Sequence, residues 1–99
     1  MEIKKTLDGN TLTIALTDQL DTNSAPELES ELEGALEGVE ILIFDFSKLN
    51  YLSSAGLRVL LNAQKTMSKK GQMIIRHVND VIMDIFDMTG FSTILTIEA

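Results

Sequence analysis

The longest uninterrupted apolar run of this chain is Ile-Leu-Ile-Phe at residues 41–44, and helical patterns lie on both sides of it. Such a short continuous run is typical of a central strand in a parallel sheet that is covered on both faces. Parallel neighbours need long crossover connections, which helices usually supply. The run therefore predicts an α/β fold with mostly parallel central strands, and it is far too short to span a membrane.

The segment before this run predicts a β-hairpin followed by a helix. Residues 2–7 and 11–17 alternate around the turn signal Asp8-Gly9-Asn10, which is typical of paired strands. Ser24 can cap the helix, and Glu27 can complete a capping box. The helix is predicted to end at a glycine, after apolar residues at helical spacing: Ala25, Leu28, Leu32, Ala35, Leu36 and then Gly38.

The segment after the run predicts two further helices and two further strands. In chain order we expect a loop at 45–52, a helix at 55–69, a strand at 72–77, a helix at 79–88 and a strand at 92–97. Val81, Ile82, Ile85 and Phe86 are predicted to face inward from the last helix. The order β-β-α-β-α-β-α-β indicates an α/β sandwich whose mixed sheet opens with a hairpin, in a single domain over residues 1–99.

Composition narrows the function classes. A chain of 99 residues with 44% hydrophobic side chains can bury roughly 65% of its unfolded surface without metal or disulfide support. It has no cysteine, which excludes disulfides, zinc fingers and thiol chemistry. Its net charge of −7 disfavours nucleic acid as a partner, because phosphates would repel it. Residues 1–5 alternate apolar and charged side chains, unlike a signal peptide, so we expect a cytoplasmic protein with no membrane partner.

The charges are divided along the chain. Residues 18–45 hold nine acids and no Lys or Arg, whereas residues 46–76 hold six bases and no acid. This division indicates either two solvated helix faces of opposite sign or a charge-graded docking surface that steers a partner protein.

Signals for catalysis are weak. His77 is the single histidine, and the chain has neither a phosphate-binding glycine loop nor a G-x-S-x-G elbow, since Leu52-Ser53-Ser54-Ala55-Gly56 lacks the first glycine. Glutamates at i, i+2 spacing point around a helix rather than at one metal ion. We therefore expect no enzyme, cofactor or metal site.

Two serines lie at the predicted start of a helix, in the segment Tyr51-Leu52-Ser53-Ser54-Ala55-Gly56-Leu57-Arg58. Either serine can serve as a plain N-cap. The same geometry also suits a phosphoserine, because free N–H groups and the helix dipole stabilise an anion there. A phosphoryl group would add about −1.5 to −2 charges to the surface. The residues alone leave both interpretations open.

Three segments at matching spacing carry a resemblance to a known family. Asp18-Gln19-Leu20-Asp21-Thr22-Asn23-Ser24-Ala25-Pro26 is similar to a G-x-L-D-x-x-x-A-P motif. A second motif, a hydrophobic strand followed by D-hydrophobic-S and a loop, is similar to Ile43-Phe44-Asp45-Phe46-Ser47-Lys48-Leu49-Asn50-Tyr51-Leu52. A third motif, D/S-S-S/T/A-G-L, is similar to Ser53-Ser54-Ala55-Gly56-Leu57-Arg58. Over residues 1–97 the chain thus resembles a STAS domain of the anti-sigma factor antagonist family.

The resemblance implies a bacterial partner-switching protein, monomeric in the simplest case. In that family the unphosphorylated antagonist binds an anti-sigma factor serine kinase and frees the sigma factor; phosphorylation releases the antagonist, and a serine phosphatase resets it. The phosphoacceptor carries over to Ser54, with Ser53 as the alternative. The partner-binding residues implied are Asp21, Ser53, Ser54, Gly56 and Arg58.

The chain departs from the family pattern at two of these motifs. The family often has Asp where this chain has Ser53, and Gly where it has Asp18. A non-switching STAS module, such as a transporter accessory subunit or a small-molecule or nucleotide-binding domain, therefore remains the alternative. Met83, Met88 and Val59 exceed the needs of one core stripe. Either part of this set contacts a partner, or all three residues belong to the core.

Overall fold

The computed structural model of the protein describes residues 1–98. Its elements follow the predicted order, with one turn of 3₁₀ helix added before the last strand. They are β1 Ile3–Asp8, β2 Thr11–Leu20, α1 Ala25–Leu32, β3 Ile41–Leu52, α2 Ser54–Ser68, β4 Gln72–Arg76, α3 Asp80–Thr89, the 3₁₀ turn Phe91–Thr93 and β5 Thr96–Glu98. The predicted mixed α/β fold is confirmed.

The five strands form one sheet in the order β1-β2-β3-β4-β5. β1 and β2 pair antiparallel, and β2 to β5 run parallel to one another. Leu20, Leu52 and Arg76, which end β2, β3 and β4, therefore lie at one edge of the sheet, here called the carboxyl edge. The strands begin at the opposite amino edge.

One face of the sheet carries the core. Leu12, Ile14 and Leu16 of β2 are buried, whereas the residues between them are half-exposed. Lys5 pairs in register with Ile14, and its Nζ lies 2.8 Å from Oε1 of Glu31, so α1 lies over this face. The buried side chains of all three helices join the same cluster.

The prediction that both faces of residues 41–44 are covered is confirmed for one face only. Leu42 and Phe44 are fully buried in the core cluster. Ile43 points to the other face, where it is 8% exposed, and it lies outside that cluster. Its register neighbours Thr13 and Ile74 are half-exposed.

The predicted loop at 45–52 is wrong, because β3 continues through it to Leu52. The Asp45 carboxylate accepts a hydrogen bond from the Ser47 N–H at 2.9 Å, and the register with β2 shifts beyond Asp45. Such a bulge inserts an extra residue and breaks the alternation of side chains. The polar residues of the bulge imitate a loop in the sequence, while Leu49 and Leu52 still enter the core.

Three other boundaries or faces also differ from prediction. α1 ends at Leu32 rather than at Gly38, and Leu36 reaches the core from the following turns, which extends the helical pattern beyond the helix. Residues 92–93 belong to the 3₁₀ turn, so β5 is shorter than predicted. Val81, predicted to face inward, is 55% exposed. None of the helices within residues 1–98 is both long and apolar enough to cross a bilayer.

Candidate functional site

The carboxyl edge brings two distant loops together. Leu20 and Leu52 are register partners at the ends of β2 and β3. The N–H of Ser53 donates to the Leu20 carbonyl at 2.9 Å, which extends the pairing by one residue. The turn that begins at Asp21 and the start of α2 at Ser54 therefore lie side by side, although they are more than 30 residues apart in the sequence.

The two serines have different environments. Ser53 is the N-cap of α2: its backbone is extended, and its Oγ accepts a hydrogen bond from the Gly56 N–H at 3.4 Å. Ser54 is the first helical residue and is exposed. Its hydroxyl makes no hydrogen bond within residues 1–98. The fold thus engages the Ser53 hydroxyl and leaves that of Ser54 accessible.

The first turn of α2 also keeps unused donors. The N–H groups of Ser54 and Ala55 have no backbone acceptor in the part of the chain that the structure describes, whereas the Leu57 N–H bonds to the Ser53 carbonyl at 2.9 Å. Free N–H groups at a helix start, together with the positive end of the helix dipole, stabilise a negative charge. A phosphoryl group on Ser54 would lie beside these donors.

Gly56 fixes this turn against the sheet. A Cβ at this position would lie 2.7 Å from Leu52 Cδ1, 2.8 Å from Leu20 Cγ and 2.9 Å from the Leu20 carbonyl oxygen. Only glycine allows so close an approach. Gly56 is buried, so it holds the first turn of α2, and Ser54 with it, against the sheet.

Asp21 closes the neighbouring turn. Its Oδ1 accepts hydrogen bonds from the N–H groups of Asn23 at 3.0 Å and Ser24 at 3.1 Å. The bond from the Ser24 backbone is the main reason that the pKa of the Asp21 carboxyl lies below its usual range, and the Asn23 bond lowers it further. Oδ2 makes none of the hydrogen bonds found within residues 1–98.

The predicted capping box at Ser24 is wrong. Ser24 has a helical backbone and forms no side-chain cap. Its hydroxyl instead accepts from the Asp21 N–H at 2.9 Å and lies 2.8 Å from the Gln19 carbonyl oxygen. The turn at Asp21 therefore determines where α1 begins.

Arg58 completes the set of predicted site residues. It lies one turn after Ser54 in α2 and is exposed. With Pro26 and Glu29 of α1 it lines a depression of about 310 Å³ between the two helices. The structure therefore groups Asp21, Ser53, Ser54 and Arg58 at one surface, with Gly56 below it.

The expected exposed apolar contacts are only partly found. Val59 is 4% exposed and belongs to the core. Met83 is half-buried against the core, whereas Met88 is 86% exposed. Sequence reasoning also missed a larger depression farther along α1 and α2, of about 400 Å³, whose walls include Glu33. The glutamates spaced four apart in the sequence, Glu29, Glu33 and Glu37, were the available signal for it.

Comparison with known proteins gives one family and consistent relatives. The STAS domain profile matches residues 2–99. BtrV of Bordetella bronchiseptica is 29% identical over 92% of this chain and 79% of its own length. The anti-sigma-B factor antagonist of Listeria monocytogenes is 28% identical over 99% of this chain and 87% of its own length.

Solved structures agree on the fold. The unphosphorylated form of the anti-sigma factor antagonist SpoIIAA superimposes with a TM-score of 0.84 at 18% identity, over 99% of this chain and 88% of that one. The phosphorylated form of SpoIIAA, from Bacillus, gives a TM-score of 0.76, also at 18% identity, over 99% of this chain and 91% of that one.

Proposed function

This chain belongs to the STAS domain family, and we propose that it is an anti-sigma factor antagonist whose binding to a partner is controlled by phosphorylation of Ser54. In its unphosphorylated form it binds an anti-sigma factor serine kinase, which releases the sigma factor. The kinase then phosphorylates Ser54 and the antagonist dissociates, until a serine phosphatase removes the phosphate. The protein itself performs no catalysis and acts as a monomer in the bacterial cytoplasm.

The observation that carries this proposal is the difference between the two serine hydroxyls. Ser54 is exposed and its hydroxyl bonds to no group in residues 1–98, whereas the hydroxyl of Ser53 caps α2. A kinase can reach the Ser54 hydroxyl without breaking a cap. The relatives support the same function: the Listeria protein carries the name anti-sigma-B factor antagonist, and SpoIIAA has been solved in a phosphorylated form.

Electrostatics supports a switch by repulsion rather than by refolding. The free N–H groups at the start of α2 stabilise an added phosphate within the monomer. A partner docked on the same surface would have to desolvate a group of about −1.5 to −2 charges. Leaving such a charge unpaired in an interface costs about 2–5 kcal/mol, which is enough to separate the complex.

The test is phosphorylation of the purified chain by anti-sigma kinases with ATP, followed by site mapping with mass spectrometry. We expect one phosphate on Ser54, absent from Ser54→Ala and retained in the matched variant Ser53→Ala. Ser54→Asp should fold normally and bind the kinase more than about tenfold more weakly, whereas Ser54→Ala should bind without release. Equal affinity of Ser54→Asp and Ser54→Ala would contradict the switch.

A further inference from the structure

Two depressions along α1 and α2 form one surface, here called the α1–α2 groove. The depressions, of about 310 and 400 Å³, share Glu29 and Val59 in their linings. The groove begins beside Ala55 and Arg58, next to Ser54, and reaches Lys70 beyond the end of α2. The part of α2 along this groove, from Ala55 to Ser68, is about 20 Å long at the rise of an α-helix.

The groove has an apolar floor and one acidic wall. Its floor is formed by Leu32, Leu36, Val59 and Ala63. On the α2 side the cationic residues Arg58 and Lys70 lie at the two ends of the groove, and the side chains between them, Asn62 and Thr66, are neutral. The opposite side, formed by α1 and the turns that follow it, presents the exposed carboxylates of Glu29, Glu33 and Glu37.

The three carboxylates of this wall lack cations. Within residues 1–98 no basic group lies within 4 Å of them, whereas Glu31 of α1 is paired with Lys5 at 2.8 Å. Lys70, at the far end of the groove, directs its Nζ to the Leu36 carbonyl. The wall is therefore negative along its length, and a docked anionic segment would be repelled.

We propose that the α1–α2 groove receives an amphipathic helix of the anti-sigma factor kinase, with its apolar stripe on the floor and Lys or Arg residues facing Glu29, Glu33 and Glu37. An apolar stripe laid into a groove is a common mode of helix recognition. The charge pattern selects a cationic flank and fixes the orientation of the helix about its axis. This inference rests on the proposed function, because it names the element of the partner that binds beside Ser54.

The position of the groove joins docking to the switch. The groove opens at the first turn of α2, where Ala55 and Arg58 line it. A phosphoryl group on Ser54 would lie at this open end and would be exposed to any helix seated in the groove. Phosphorylation can therefore weaken docking without altering the apolar floor.

Paired charge reversals test this inference, with the kinase that phosphorylates Ser54 as the probe. Glu33→Lys with Glu37→Lys changes the acidic wall far from Ser54, at side chains that bond to nothing in residues 1–98. The matched control, Asp84→Lys with Asp87→Lys, makes the same charge change on the exposed side of α3. We expect about a tenfold or greater loss of affinity for the groove variant and about twofold or less for the control.

Hydrogen exchange on the kinase identifies the occupant. Wild-type chain should protect one amphipathic segment with a basic flank, and the groove variant should remove that protection. Equal affinities of the groove variant and the control, or protection of an acidic or extended segment, would overturn the inference while Ser54→Asp still weakened binding. A wild-type chain that no kinase binds would instead overturn the proposed function, and the inference with it.

Discussion

The two edges of the sheet differ in which residues adopt a left-handed backbone. Near the amino edge, residues with positive φ are glycines: Gly9 at 61° and Gly38 at 76°. At the carboxyl edge the positive-φ residues are Asp18 at 65° and His77 at 60°. Glycine adopts this backbone without cost, whereas other residues are strained by about 1–2 kcal/mol. Strain concentrates where function constrains the chain, and the carboxyl edge carries the candidate site.

The two edges also differ in how many of their backbone N–H groups have an acceptor within the fold. At the amino edge the Glu40 N–H donates to the Asn10 carbonyl and the Gln72 N–H donates to the Glu40 carbonyl, both at 2.9 Å. At the carboxyl edge the N–H groups of Ser54 and Ala55 find no such acceptor within the described residues. The fold therefore pairs these N–H groups at the amino edge, whereas the unpaired N–H groups at the carboxyl edge can bind a ligand or a modified side chain.

The largest expected effect is at the amino edge, with Gly71→Ala. A Cβ there would lie 1.8 Å from the Glu40 carbonyl oxygen and 2.7 Å from its carbon. Both atoms are backbone, so the strands or α2 must move. We expect a loss of more than about 3 kcal/mol in the free energy of unfolding, measured by urea titration. The control variant Gln72→Ala, at the adjacent exposed residue, should keep a urea midpoint near that of the wild type. A Gly71→Ala midpoint equal to that of the control would contradict the close backbone approach at the amino edge.

Gly56→Ala is the matched change at the carboxyl edge, with a smaller expected cost. A Cβ at this position would lie 2.7–2.9 Å from Leu52 Cδ1, Leu20 Cγ and the Leu20 carbonyl oxygen. These overlaps are shallower than the one at Gly71, so smaller shifts relieve them. We expect a loss of about 1–3 kcal/mol, together with slower phosphorylation of Ser54 because the first turn of α2 is displaced. A loss as large as that of Gly71→Ala would show that both edges are equally rigid.

The fold was largely predictable from the sequence because the spacing of hydrophobic residues indicates both the type of each element and the face that it buries. The exceptions have local causes: the Asp45 bulge imitates a loop, and Leu36 prolongs a helical pattern into turns. The serine pair and Asp21 were found through motifs. The α1–α2 groove was missed because it exists only once the two helices pack, and the Asp21 turn was missed because the Ser24 hydroxyl bonds outside the helix that it was expected to cap.

Asp18→Gly should relieve the backbone strain that the positive φ of Asp18 causes at the carboxyl edge. The side chain of Asp18 is 71% exposed, and its ion pair with the N-terminus is long, at 3.8 Å, so little is lost with it. Glycine adopts the left-handed backbone freely, and we expect a gain of about 1 kcal/mol in the free energy of unfolding. Thermal unfolding measures it, with Thr13→Gly as the control that should destabilise a regularly paired strand position. A destabilised Asp18→Gly would show that Asp18 contributes more than its backbone strain costs.

The smallest expected effect is a pH dependence at the turn beside Ser53. The backbone N–H of Ser24, and then that of Asn23, bond the Asp21 carboxylate and lower its pKa in the folded chain. A lowered folded pKa means that the charged form is bound more tightly than in the unfolded chain. This stabilisation is complete above the pKa of an unfolded-chain aspartate, and it disappears as the pH falls through the lower folded pKa. Asp21→Asn keeps an oxygen acceptor but has no titrating charge. The melting temperature of the wild type should therefore exceed that of this variant at neutral pH and converge with it in acid. Parallel curves at all pH values would mean that the charge of Asp21 does not stabilise the turn, and that a neutral oxygen acceptor at this position is sufficient.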